Sequence, residues 1–60
     1  MIAEALKRQL RWLAVSWYVA ALTERARRDA EPDPALAALH LGVARTLERC
    51  AKQLEEMTKA

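Results

Sequence analysis

Side chains suited to catalysis or metal binding are scarce in this chain, whose 60 residues include one histidine and one cysteine. These two, His40 and Cys50, fall ten residues apart on a segment with a helical pattern. Ten helical residues span about 15 Å, so the two side chains cannot share a metal ion within one chain. A pair of His40 side chains meeting in a dimer would supply only two ligands, too few for a zinc site. No metal site is therefore expected.

The carboxylates and the single glycine offer no catalytic arrangement either. Glu55 and Glu56 fall on a solvated helix face, and Glu31 and Asp33 fall in a turn, where no burial tunes a carboxyl group for acid–base work. A phosphate-binding loop needs several glycines. We expect neither an enzyme nor a bound cofactor. The lone Cys50 is predicted to be a small apolar side chain of a reduced, cytoplasmic protein.

Basic residues could contact nucleic acid along one helix surface. Arg45, Arg49 and Lys52 form a stripe at helical spacing, and Arg25 and Arg28 could continue it at the turn end. Glutamates interleave with the stripe, and the formal net charge is only +2, so an ion-paired solvated face is the favoured interpretation. Nucleic-acid binding is the alternative. The predicted architecture, but no residue motif, is similar to that of small plasmid RNA-binding hairpins that dimerise into four-helix bundles.

The elements that carry these residues are predicted to be two helices. Thirteen Ala and nine Leu, with no Phe or Asn, are typical of an all-α protein. The only break is Glu31-Pro32-Asp33-Pro34, in which Asp33 suits a helix N-cap and Pro34 a first helical position. We expect one domain over residues 1–60: helix 1 over about 2–30, a turn over 31–34 and helix 2 over about 35–58, folded into an antiparallel hairpin roughly 40 Å long. Counting across the turn places Glu24 beside His40, within hydrogen-bonding reach.

Helix 2 shows a heptad seam of apolar positions. Its members are Leu36, His40, Val43, Leu47, Cys50, Leu54 and Met57. Leu47 and Leu54 are expected to be buried in it. The small residues Ala37, Ala44 and Ala51 run alongside at the same spacing, which allows a neighbouring helix to approach closely.

Helix 1 is apolar on almost every side, with two separate stripes. The first comprises Leu6, Leu10, Leu13, Trp17 and Ala20, and the second comprises Trp12, Val15, Val19 and Leu22. One partner helix covers only one stripe, so the second is predicted to meet another subunit. The expected oligomer interface comprises Trp12, Val15, Trp17, Val19 and Leu22.

The size of the chain also favours association. A 60-residue monomer buries too little surface to offset comfortably the entropy of ordering the chain.

The apolar run from Trp12 to Leu22 covers about half of the ~20 residues that span a bilayer, so no membrane span is expected. The resulting hypothesis is a non-catalytic interaction module, a phage, plasmid or operon-borne accessory protein that assembles with itself into a four-helix bundle or binds another helical protein. A small dimeric nucleic-acid-binding regulator is the alternative.

Overall fold

The computed structural model describes residues 3–59, which form two α-helices: α1 over Glu4–Ala30 and α2 over Pro34–Thr58. The helices pack against each other along their length, so the predicted all-α hairpin is confirmed. The predicted start of helix 1 at about residue 2 lies outside the described residues. The connection is one residue shorter than the expected turn over 31–34, because Pro34 already belongs to α2.

The turn is set by local backbone chemistry. Glu31 is extended, at φ −86° and ψ 119°, because Pro32 follows it and disfavours helical geometry. The Asp33 carboxylate accepts a hydrogen bond of 2.9 Å from the Ala35 N–H and so caps α2, as predicted. Pro34 then fits the first helical position, where its missing N–H leaves nothing unsatisfied. The same few residues therefore end α1 and begin α2.

We expect Asp33→Ala to lower the free energy of unfolding by about 1 kcal/mol, since the substitution removes the acceptor that caps α2. Asp33→Asn is the matched control, because its amide oxygen accepts the same bond. Urea unfolding followed by circular dichroism measures both variants. Equal losses in the two variants would show that the cap contributes nothing measurable.

The hairpin is a rod. Its principal extents are 47 × 13 × 10 Å, and its radius of gyration is 14.1 Å, against about 10 Å for a compact domain of this length. Its accessible surface is 4588 Å², against about 4,000 Å² for a globular protein of the same mass. The shape leaves more of the chain in contact with water than a globule of the same size would.

Alanines form the centre of the contact between the helices. The buried residues of the described chain are Ala14, Ala21, Ala44, Ala51 and Thr58. The alanines of each helix are seven residues apart, so they stack in a column along one side of the helix. Side chains this small let two helices approach closely. In residues 3–59 no large apolar side chain is fully buried.

The larger apolar residues of α2 lie beside the alanine column, so Leu47 and Leu54, which were expected to be buried, are not buried within the single hairpin. Both are half-buried, and Val43 and Met57 further from the column are exposed. The reason is steric: with alanines in contact at the centre, no room remains between the helices for a leucine. The seam predicted to form the core instead forms one side of the hairpin.

Candidate interaction surface

Two side-chain contacts between polar residues mark the two edges of the helix–helix contact. On one edge His40 Nδ1 lies 2.6 Å from Glu24 Oε2, which confirms the pairing predicted across the turn. On the other edge Arg25 Nη2 donates to Glu48 Oε1. Glu24 and Arg25 are about 100° apart around α1, and the alanine column lies between them. The hairpin therefore has two distinct sides, separated by the alanines. The first side carries the Glu24–His40 contact, and the second side carries the Arg25–Glu48 contact.

Glu24 holds two partners at the turn end of the first side. Because its ionised carboxylate can only accept hydrogen bonds, the His40 ring donates through Nδ1. Arg27 Nη1 donates to the other oxygen, Oε1, at 2.7 Å. The hydrogen bond from His40 is the main cause that lowers the pKa of Glu24; burial opposes it, and Arg27 adds to the lowering. The one carboxylate on this side is therefore neutralised within its own chain.

The pH dependence of unfolding should reflect this lowered pKa. A carboxyl group whose folded-state pKa lies below its unfolded value, here near 4.5, stabilises the fold above that value and loses the contribution as pH falls through the folded pKa. Glu24→Gln should therefore lower the free energy of unfolding most near neutral pH, with a shrinking difference below about pH 4. Urea titrations at several pH values test this, with the exposed Glu56→Gln as control. A loss that stays constant with pH would contradict the assignment.

Residues one and two heptads from the Glu24–His40 pair lie on the same first side of the hairpin, further from the turn. Trp17 precedes Glu24 by seven residues and Leu47 follows His40 by seven, so the antiparallel register places these two opposite each other. One further heptad places Leu10 opposite Leu54. These four side chains are all half-buried, which fits positions at the edge of the contact.

Further apolar residues extend the same side outward on both helices. We call the resulting surface the uncharged face; it consists of Leu6, Leu10, Leu13, Trp17, Leu36, Val43, Leu47, Cys50, Leu54 and Met57. The two seams of the sequence thus lie side by side on one surface instead of facing each other. Five members are more than two-fifths exposed in the hairpin: Leu6, Leu13, Leu36, Val43 and Met57.

Charge is segregated away from this surface. The helical positions on this side carry no Asp, Glu, Lys or Arg from Leu6 to Thr23 in α1 or from Leu36 to Met57 in α2. The one titratable side chain among them besides Cys50 is His40. The other side carries the acidic and basic residues of α2 and the Arg25–Glu48 pair. The uncharged side and the charged side of the hairpin are therefore each formed by both helices.

Tyr18 lies on the charged side, near Glu55. Burial is the main cause that raises the pKa of its phenol, and the charge of Glu55 adds to the effect. Both favour the protonated phenol, which can donate a hydrogen bond to the carboxylate.

The second stripe of helix 1 is exposed along its length. Its members, hereafter the Trp12 stripe, are Trp12, Val15, Val19 and Leu22, and the Trp12 ring is 68% exposed. Trp17, grouped with them in the predicted interface, lies about 140° away around the helix and belongs to the uncharged face. Ser16 does not interrupt the stripe, because its hydroxyl donates back to the Trp12 carbonyl oxygen at 3.0 Å. The structure therefore separates the expected interface into two surfaces.

The predicted basic stripe is also divided. Arg25 is bound to Glu48, and Arg28 donates to Asp29. The remaining three, Arg45, Arg49 and Lys52, are exposed on the outer side of α2 and hold no carboxylate partner within residues 3–59.

Cys50 is unpaired and half-buried on the uncharged face. Within the described part of the chain, no three acidic, histidine or cysteine side chains converge as metal ligands. Neither α1 nor α2 is long and apolar enough to cross a bilayer.

No protein-family model, curated protein or solved structure matches the sequence.

Proposed function

We propose that this chain is a non-catalytic, self-associating helical module of the cytoplasm, whose hairpins assemble into a four-helix bundle through apolar surface that the single hairpin leaves exposed. The observation that carries the proposal is the contrast between its core and its surface. Alanines and Thr58 fill the core, whereas ten large apolar side chains in the described chain are exposed.

The energetics of burial support association. Alanine removes little apolar area from water, and the larger residues supply most of the available hydrophobic stabilisation only when they are covered. A contiguous exposed apolar surface on a small protein is typical of an interaction site. A bundle that covers such surface on both hairpins would raise the stability of each chain by mass action.

Sedimentation equilibrium combined with thermal unfolding tests the proposal. We expect at least a dimer at micromolar concentration and a melting temperature that rises with protein concentration, because the folded chain is stabilised by its partner. A helical monomer at about 100 μM, with a melting temperature independent of concentration, would contradict self-association.

A small dimeric nucleic-acid-binding regulator is the second candidate, favoured by the three exposed cations Arg45, Arg49 and Lys52. Gel-shift titrations with RNA and DNA at several salt concentrations test it, since phosphate contacts give a steep salt dependence. The double substitution Arg45→Gln/Arg49→Gln should weaken binding more than the control Arg8→Gln/Arg11→Gln on α1. No shift with either nucleic acid at low salt would eliminate this candidate.

A further inference from the structure

We propose that the uncharged face is the surface on which a second copy of this chain packs, layer against layer, and that the Trp12 stripe stays outside this contact. The inference rests on the proposed self-association and goes further by assigning the interface to one of two apolar surfaces. It departs from the sequence expectation, which placed the contact on the Trp12 stripe.

The dimensions of the uncharged face suit a dimer. Its members extend about 32 Å along α2, from Leu36 to Met57, and the face is two helices, about 20 Å, wide. Its footprint is therefore about 600 Å², at the lower end of the roughly 600–1,000 Å² that each partner contributes to a stable complex of standard size. The Trp12 stripe spans three turns of one helix and is too narrow to provide such an area alone.

The charge distribution suits a second copy in particular. In a twofold contact between identical surfaces, every buried charge needs an opposite charge at the position that it meets on the other copy, and a surface without charge satisfies this condition everywhere. The uncharged face meets this condition, since Glu24 at its end is already bound to His40 and Arg27. A charged partner would find no complementary group on this face.

The shape of the hairpin also favours this side. Both helices contribute apolar residues to the uncharged face, so two hairpins stacked through it form two layers of two helices with a shared core, which is the arrangement of a four-helix bundle. Contact through the Trp12 stripe would join one helix to one helix and leave the uncharged face in water.

Two valines provide a matched test. Val43 lies on the uncharged face and is 41% exposed, and Val19 lies on the Trp12 stripe and is 55% exposed. Lysine at either position adds the same charge at a mid-helix site outside the alanine core. We expect Val43→Lys to raise the dimer dissociation constant at least about 100-fold, because each copy buries an unpaired ammonium. Val19→Lys should change it less than about threefold.

Thiol labelling of the wild-type chain gives a second measurement. Cys50 should be labelled several-fold more slowly above the dimer dissociation constant than below it, at concentrations where circular dichroism shows a helical chain, whereas a cysteine at exposed position 38, introduced as Ala38→Cys with Cys50→Ala, should be labelled at the same rate at both. Cys50 is already half-buried within the hairpin, so only a change in its labelling rate between dimer and helical monomer reports shielding by the second copy.

The outcomes separate the two proposals. Loss of the dimer in Val43→Lys alone, with slower labelling of Cys50 in the dimer than in the helical monomer, supports the assignment. Loss of the dimer in Val19→Lys alone, or equal labelling of Cys50 in the dimer and in the helical monomer, would overturn the assignment and leave self-association in place. A folded wild-type monomer at every concentration would overturn both.

Discussion

Trp17→Ala should lower the free energy of unfolding by about 3–5 kcal/mol, the largest effect we expect from any single truncation. Trp17 has the largest side chain on the uncharged face and lies opposite Leu47 in the register fixed by the Glu24–His40 pair. Truncating a packed tryptophan costs about 3–5 kcal/mol, and a domain of this length has only about 3–9 kcal/mol of stability in total. Urea unfolding at several protein concentrations measures the loss.

Trp12→Ala is the control, because it makes the same change five residues earlier in the same helix. Its ring is 68% exposed in the hairpin and stays exposed in a dimer formed through the uncharged face. We expect a change in stability within about 0.5 kcal/mol, as for other surface substitutions. Equal losses at the two positions would show that Trp12 is covered in solution, in conflict with the proposed interface.

Ala44→Leu should destabilise the hairpin by about 1–3 kcal/mol, although leucine is more hydrophobic than alanine and forms helices nearly as well. Ala44 is 0% exposed, and the register places it opposite Ala21. Three additional carbon atoms have no space there unless the helices move apart, which would also separate Ala14 from Ala51. Thermal and urea unfolding should both show the loss.

The control for this overpacking is Ala38→Leu on the exposed side of α2. It changes helix propensity and hydrophobicity by the same amount without entering the contact between the helices, so the stability should change little. If Ala44→Leu were as stable as Ala38→Leu, the helices would not be held together by the alanine columns.

Local chemistry made the hairpin predictable from the sequence. Pro32 ends one helix, and Asp33 with Pro34 begins the next, through steric and hydrogen-bonding effects that act over two or three residues. The Glu24–His40 contact followed from counting residues on either side of so short a turn. These features depend on neighbours in sequence, and the structure confirms them.

The position of the core was not predictable from hydrophobic periodicity alone. Leu47 and Leu54 dominate the seam of helix 2, and a hydrophobic pattern reports which residues avoid water without reporting which surface covers them. Ala14 and Ala21 were missed because they lie within a run that is apolar throughout. A signal for them does exist: small residues seven apart in both helices, Ala14 with Ala51 and Ala21 with Ala44, lie at equal distances from the turn.

The alanine core has a consequence for the lifetime of the chain in a cell. Proteases cleave backbone that has opened, and when opening and closing are fast the rate of cleavage follows the population of the open form. We expect a hairpin held mainly by alanine contacts to open more often than one whose leucines are covered by a second copy, as in the proposed dimer. Chains made in excess of their partners would then be removed first, so the steady-state amount of this protein would be set by assembly as much as by synthesis.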